Sequence, residues 1–228
     1  MIRFSNREDI IALTPRWKGE RFPDGRPKVA DKYLEKMRTM TLEELWKPIF
    51  LKGYESQFEG DLRLMGDDDK PLVGRAVTCT FVPTRPDLYD TMKAVGDSEG
   101  RAGNFNQWVI DSLVEGDVVV ADMYDKIYKG TFIGGNLTTA IKTRTKNGGA
   151  VIWGGIRDVQ QMREIDGIKV YYRGIDPTPH TRLCHEGLQL RHAHRKSHRT
   201  ARRYSVRRRG RSAVRALPSR GGSGGRRR

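Results

Sequence analysis

The pattern of apolar positions alternates between strand-like and helix-like segments from residue 72 to residue 172. Short apolar runs predict strands, and apolar residues three and four positions apart predict helices. Strands are predicted at 72–82, 118–123, 150–153 and 168–172, and helices at 87–95, 106–113, 136–146 and 158–165. Strands that alternate with helices in this way are typical of an α/β domain.

The first 70 residues predict a helical extension in front of this domain. A short helix is predicted before Pro15, and two more at 31–40 and 41–51. Ser5 with Glu8, and Thr41 with Glu44, have the spacing of capping boxes. Pro48 is expected to kink or shorten the third helix. Residues 60–70 are acidic and predict a loop. The predicted organisation is an extension at 1–70, a domain at 71–187 and a tail at 188–228.

The charge of the chain is concentrated at its end. Of the 43 Lys and Arg residues, 15 lie in 191–228, and that segment has no Asp or Glu. The other 28 basic residues are balanced by 28 acidic residues. The tail is rich in Arg, Gly and Ser and poor in large apolar residues, so we expect it to be disordered.

Composition also limits the classes of protein to consider. The chain contains two cysteines, Cys79 and Cys184, which are too few for a disulfide framework or a zinc site. No run of about 18 apolar residues predicts a membrane span, and the first residues lack the apolar core of a signal peptide. We expect a cytoplasmic protein without a membrane partner.

The segment 130–158, GTFIGGNLTTAIKTRTKNGGAVIWGGIRD, carries the candidate chemistry. Gly134 and Gly135 allow a ligand to approach the main chain, and Asn136 is a suitable N-cap for the helix that follows. The first turn of a helix offers free N–H groups to an anion. Arg157 can grip a carboxylate with two hydrogen bonds, and Asp158 can hold a hard divalent cation. This combination predicts a site for a small keto acid.

Another interpretation of the same residues stays open at this point. The glycines can form an ordinary turn, and Arg157 and Asp158 can be a structural pair in which Asp158 caps the next helix. The segment has neither the Gly-x-Gly-x-x-Gly pattern of dinucleotide sites nor a P-loop. Nucleotide binding is therefore poorly supported.

Gly134–Leu137 followed by Arg157-Asp158 resembles the RraA-like family. The family includes regulators of ribonuclease E activity and the 4-hydroxy-4-methyl-2-oxoglutarate/oxaloacetate aldolases; some members were formerly misnamed dimethylmenaquinone methyltransferases. The resemblance extends from about Val73 to Gly187. It implies an α/β fold of the swivelling β/β/α type, here with an N-terminal helical extension and a disordered basic C-terminal tail.

The resemblance also implies a function and a set of site residues. The amides of Gly134, Gly135, Asn136 and Leu137 and the side chain of Arg157 would hold the pyruvyl group. Asp158 would bind Mg²⁺ or Mn²⁺, partly through water, and the metal would stabilise the enolate left when the C–C bond breaks. The implied protein is a metal-dependent lyase acting on a pyruvate-containing keto acid. It is expected to be a homo-oligomer, a trimer or a hexamer.

The chain departs from the family pattern in ways that bear on substrate identity. The second turn position is often acidic in the aldolases and is Gly135 here. Residues 123–126 replace a glycine run that is common in the family. Some members are regulators that share the fold without the chemistry. The alternative function is therefore a non-catalytic protein that binds a ribonuclease or another protein.

The tail has two interpretations. Family members continue past residue 187 with more strands and a Pro-Gly-Asp turn. Back-translation of 188–205 with freely chosen synonymous codons, followed by removal of the first base, gives FNCVTHIGKATVLPGDI, which has that pattern. We therefore interpret 188–228 as a frameshift product, in which case the protein as written is expected to be poorly folded or inactive. If the tail is genuine, its arginines predict binding to RNA or another nucleic acid.

Overall fold

The computed structural model describes residues 6–55, 57–66 and 70–178, together with the backbone of 183–188, 192–194, 197–199 and 205–206. The helices are α1 Arg7–Leu13, α2 Asp31–Arg38, α3 Leu42–Phe50, α4 Pro86–Ser98, α5 Phe105–Asp111, α6 Gly135–Thr145 and α7 Val159–Arg163. The strands are β1 Arg63–Gly66, β2 Leu72–Val73, β3 Arg75–Pro83, β4 Asp117–Asp122, β5 Thr131–Ile133, β6 Gly149–Ile156, β7 Lys169–Ile175, β8 Leu183–Leu188, β9 His192–His194, β10 Ser197–Arg199 and β11 Ser205–Val206.

A seven-stranded sheet forms the centre of the domain, in the order β1-β7-β6-β4-β3-β8, with β5 paired to the end of β6. The four central strands are parallel to one another, as the alternation of strands and helices predicts; they are β3, β4, β6 and β7. At the two edges, β1 and β8 pair antiparallel with β7 and β3. The sheet is therefore mixed, with a parallel centre, and the predicted α/β fold is confirmed.

Both faces of the sheet are covered, which explains the continuous apolar runs in its central strands. Every residue of β4 is buried. Val119 and Ala121 belong to the larger core cluster, and Val118 and Val120 to a smaller cluster on the other side. Helices α4–α7 contribute Met92, Trp108, Ile141 and Met162 to the larger cluster. In the part of the chain that the structure describes, no helix has the length and apolarity needed to cross a membrane.

A buried ion pair joins the N-terminal segment to the sheet. Arg26 Nη1 donates a hydrogen bond to Asp117 Oδ2 at 2.9 Å, and the side chains of these two residues are 6% and 0% exposed. Arg75 extends the network from β3 to the backbone oxygen of Val29, at 2.9 Å, and to Asp31. Burial raises the pKa of the Asp117 carboxyl, and the charges of Arg26 and Arg75 oppose this rise.

Several local predictions need correction. The side chain that caps α1 belongs to Asn6, which accepts from the Glu8 amide; Ser5 lies outside the described residues. Residues 63–66 form β1 and not a loop, because Met65 is buried and the segment pairs with β7 along the sheet edge. The acidic residues on both sides of this segment led to the prediction of a loop. The capping box of α3 is confirmed, and Pro48 lies within that helix.

The last described segments lie at the end of the predicted domain and beyond it. The edge strand β8 pairs with β3 as far as Leu188 opposite Cys79. Beyond it, the backbones of β9 and β10 pair with each other, and β11 pairs with β2. Most of the predicted tail, 188–228, lies outside the described residues, and its origin as a frameshift product stays a prediction.

Candidate functional site

The pairing of β5 with β6 brings the two halves of the predicted site together. The strands are parallel, and Ile133 at the end of β5 is paired with Ile156 at the end of β6. Gly134 and Arg157 therefore leave the same edge of the sheet side by side. The Arg157 amide donates to the Ile133 oxygen at 3.1 Å. The carboxyl ends of parallel strands are the usual location of ligands in such sheets.

The two glycines make room for side chains from the β6–α7 turn. A Cβ at Gly134 would overlap Asp158 Oδ2 and lie 3.0 Å from Arg157 Cγ. A Cβ at Gly135 would overlap Gln161 Oε1 and lie 3.1 Å from Gln161 Cβ. Gly134 has φ −136° and ψ −164°, which other residues also adopt. The requirement for glycine here comes from space and not from backbone conformation.

The N-terminus of α6 lies at the centre of the site. Gly134 is the N-cap residue, so the prediction that Asn136 caps this helix is wrong. The helix starts one residue earlier, and Asn136 is exposed on its first turn. Among the described residues, the N-cap position of α6 provides no side-chain capping hydrogen bond. Instead, the Gly135 amide donates to Asp158 Oδ2 at 3.3 Å.

Asp158 has an unusual backbone for its position at the start of α7. It is the N-cap residue of this helix with φ 53° and ψ 38°, in the left-handed region that non-glycine residues rarely adopt. Its side chain makes no cap hydrogen bond to α7. Asp158 therefore occupies the N-cap position of α7, but its side chain does not cap that helix, because the carboxylate accepts from the Gly135 amide of α6 instead.

Arg157 lies beside this carboxylate and is open to solvent. Its Nε is 3.7 Å from Asp158 Oδ2, and the two side chains are 41% and 34% exposed. A planar guanidinium and free helix amides on one side of a turn can together bind a carboxylate. The structure thus brings Gly134, Gly135, Arg157 and Asp158 into one cluster, as the sequence predicts. Asn136 and Leu137 lie on the first turn of the same helix.

Gln161 is a further member of the cluster, which the sequence does not predict. It lies three residues after Asp158 on α7, and its carboxamide fills the space beside Gly135. No local signal in the sequence marks Gln161, because its position beside Gly135 depends on the packing of α7 against α6.

The loop after β4 lies at the same edge of the sheet, but its acids are engaged elsewhere. Asp122 accepts a hydrogen bond from the Tyr124 amide at 2.9 Å, within its own loop. Asp125 pairs with Arg173, and Arg173 also stacks on the Trp153 ring with its guanidinium carbon 4.5 Å from the ring centroid. These contacts fix the loop 123–130 against β6 and β7.

The residues present fit a cation with few protein ligands. Among the described residues, no group of three or more His, Cys, Asp or Glu side chains could hold a metal ion. The Asp158 carboxylate is one-third exposed, and the Gln161 oxygen lies next to the same helix end. Mg²⁺ prefers oxygen ligands and commonly keeps several waters while it binds one or two carboxylates. The donor set is compatible with Mg²⁺ or Mn²⁺ held by Asp158.

These features define an α/β protein in which a helix N-terminus and an Arg-Asp turn lie side by side at the carboxyl edge of the parallel strands. The family model described as RraA-like, Aldolase/RraA, matches residues 28–191. The chain therefore belongs to the RraA-like family. The match begins within the predicted extension and includes the segment anchored by Arg75 and Asp117. No curated protein matches the chain.

Solved structures show the same fold. RraAS2 of Streptomyces coelicolor, described as an unusual member of the RNase ES inhibitor RraA protein family, is 18% identical with a TM-score of 0.55 over 72% of this chain and 74% of that one. An uncharacterised protein of Pseudomonas syringae pv. tomato is 16% identical, with a TM-score of 0.57 over 80% and 73%. A structure described under novel cellulases from gut-associated microbes is 20% identical, with 0.61 over 86% and 80%. At these identities the likeness concerns the fold.

Proposed function

We propose that the protein is a divalent-metal-dependent lyase that cleaves a pyruvate-containing keto acid. The reaction would be of the 4-hydroxy-4-methyl-2-oxoglutarate aldolase or oxaloacetate decarboxylase type. The observation that carries the proposal is the convergence of the α6 N-terminus, Arg157 and Asp158 at one edge of the sheet. Membership of a family whose description includes aldolases supports it.

The first task of these residues is to bind the pyruvyl group. The amides of Gly135, Asn136 and Leu137 lie in the first turn of α6, where N–H groups lack partners within the helix. The dipole of the helix adds positive potential at this end. Arg157 supplies a second, exposed donor group. A carboxylate bound between them would place the keto group of the ligand toward Asp158.

Asp158 is the residue that would hold the metal. A bound Mg²⁺ or Mn²⁺ would polarise the keto oxygen and stabilise the negative charge that develops when the C–C bond breaks. Both aldol cleavage and decarboxylation of oxaloacetate leave the same pyruvate enolate, so one site can serve both. Asp158 would orient the metal, and Arg157 would hold the carboxylate and disperse its charge.

We also propose that the protein forms a homo-oligomer, a trimer or a hexamer. Exposed apolar side chains lie in the loop 123–130 and at the end of β7, and they include Tyr124, Ile127, Tyr128 and Ile175. Apolar side chains exposed together are typical of protein interfaces. Light scattering of the purified chain would measure the oligomeric state, and a monomer at micromolar concentration would contradict this part.

The activity is tested by pyruvate release from oxaloacetate with Mg²⁺ or Mn²⁺ and with EDTA, corrected for the metal-catalysed reaction without protein. We expect metal-dependent release that is abolished in Asp158→Ala. Arg157→Lys keeps the charge but loses the bidentate grip, so the KM should rise. Arg163→Lys, at the exposed end of α7, is the matched control and should behave as wild type. No release above the protein-free rate would refute the lyase.

A second candidate is a regulator without catalysis, which binds a ribonuclease or another protein, or RNA through its tail. The observation that favours RNA is the segment 191–228, with 15 Lys and Arg and no acid. Neutralisation of phosphates makes such binding fall steeply with salt. RNA binding that weakens between 50 and 200 mM salt and disappears on truncation after residue 187 would support it. Salt-independent binding would count against it.

A further inference from the structure

The carboxylate of Asp158 already contacts the groups that would bind a ligand carboxylate. Its Oδ2 accepts from the Gly135 amide at 3.3 Å and lies 3.7 Å from Arg157 Nε. It also fills the space beside Gly134. In this arrangement, the side chain occupies the place at the start of α6 to which the proposed function assigns the carboxylate of the ligand.

The contacts of Asp158 at this position are weak. A hydrogen bond of 3.3 Å is longer than the usual N–H···O distance, and 3.7 Å is outside hydrogen-bond range. The side chain is also partly exposed to water. A competing ligand can therefore displace it at a modest energetic cost.

We infer that Asp158 is an internal competitor for the anion site, so that the cation and the keto acid bind with positive coupling. The inference rests on the proposed function and concerns the order and regulation of binding at the same site. Without a cation, an incoming carboxylate meets a like charge close to the Gly135 amide. With a cation, Asp158 becomes a ligand of the metal, and the amide and Arg157 are free for the incoming carboxylate.

This competition has a consequence for both affinities. Coupling between two ligands is reciprocal, so the factor by which the cation strengthens anion binding equals the factor by which the anion strengthens cation binding. Typical couplings are about 5–150-fold. We expect a factor of roughly tenfold here, because the interfering contacts are long and partly exposed to water.

The experiment is calorimetric titration of the full chain with pyruvate, in EDTA and in Mg²⁺ at constant ionic strength. Asp158→Asn removes the competing charge and keeps the backbone, because Asn also adopts the left-handed region. We expect this variant to bind pyruvate in EDTA roughly tenfold more tightly than wild type does, and to gain nothing from Mg²⁺. Wild type should gain a similar factor from Mg²⁺. Asp158→Gly, which also tolerates this backbone, is the second variant.

The matched control is Asp166→Asn, an identical charge change at an exposed position after α7, and it should bind pyruvate as wild type does. If wild type binds pyruvate with Mg²⁺, but the variants at position 158 bind it in EDTA no more tightly than wild type does, the competition is refuted. The proposed function would still stand in that case. Wild type that binds no pyruvate under either condition would remove the proposed function and the inference with it. Thermal melts of each variant establish that the titrated protein is folded.

Discussion

Replacement of Gly134 by Ala isolates the contact on which the candidate site depends. The backbone at Gly134 accommodates Ala without strain, so the effect comes from the added methyl group. That methyl group would overlap Asp158 Oδ2 and lie 3.1 Å from Asp158 Cγ. The carboxylate would have to move by about 1 Å, a displacement that can reduce catalysis by about 100-fold.

The cost in stability should be small by comparison. Overpacking usually destabilises a protein by about 1–3 kcal/mol. The displaced carboxylate is one-third exposed and can rotate into solvent, so we expect about 1 kcal/mol, or a melting temperature lower by about 2–4 °C. Activity and stability would thus change by very different amounts, which separates damage to the site from general unfolding.

The assays are metal-dependent pyruvate release and a thermal melt. Gly135→Ala is the comparison, because its methyl group meets the flexible end of Gln161 and leaves Asp158 in place. We expect Gly135→Ala to lose less activity than Gly134→Ala at similar stability. A Gly134→Ala protein with wild-type activity and an unchanged metal requirement would refute the assignment of Asp158 to the metal.

Three further predictions concern stability and reactivity. Asp117→Asn should lower the free energy of unfolding in urea by about 1.5–3 kcal/mol, because the buried Arg26 loses its charged hydrogen bond to Asp117 and keeps only Asp24 as a charged partner. A loss below about 1 kcal/mol would contradict this. Burial, and to a smaller degree the charge of Asp122, raise the pKa of the Cys79 thiol well above its usual value. In a Cys184→Ser protein, iodoacetamide at neutral pH should therefore label Cys79 only after unfolding, and rapid labelling of the folded chain would disprove the burial. Replacement of 188–228 by the residues of the restored reading frame should raise the melting temperature. If sequencing of the locus finds no downstream frame that continues the family pattern, the frameshift interpretation is wrong.

The parallel centre of the sheet could be predicted because its strands are buried on both faces. Residues 118–121 form an uninterrupted apolar run that ends before Asp122, and this run lies within a strand that is buried throughout. The edge strand β1 could not be predicted in the same way. The strand is only four residues long, Met65 is its one buried residue, and acidic residues flank it at 61 and 67–69. Pairing with β7 decides its structure, and pairing is not visible in the local sequence.

The residues of the candidate site could be predicted from the sequence, but the contacts between them could not. The glycine turn and Arg157-Asp158 are separated by more than twenty residues, and only the pairing of Ile133 with Ile156 places them side by side. Local helix rules assigned Asn136 as a cap. They failed because Asp158, from another segment, supplies the acceptor for the first free amide of α6. Gln161 could not be predicted for a similar reason, because its position beside Gly135 depends on the packing of α7 against α6.

The geometry of Arg157 and Asp158 favours a functional over a structural role. An exposed ion pair contributes about 0–1 kcal/mol, and a separation of 3.7 Å is poor even for such a pair. A non-glycine residue in the left-handed region costs about 1–3 kcal/mol. The hydrogen bond from Gly135, at 3.3 Å, recovers a part of this cost. A pair kept for stability alone would be replaced with advantage by glycine at 158, which has no strain there. The cost of the left-handed backbone is explained if the carboxylate is needed at the end of α6 beside Arg157, where a metal and a keto acid would bind.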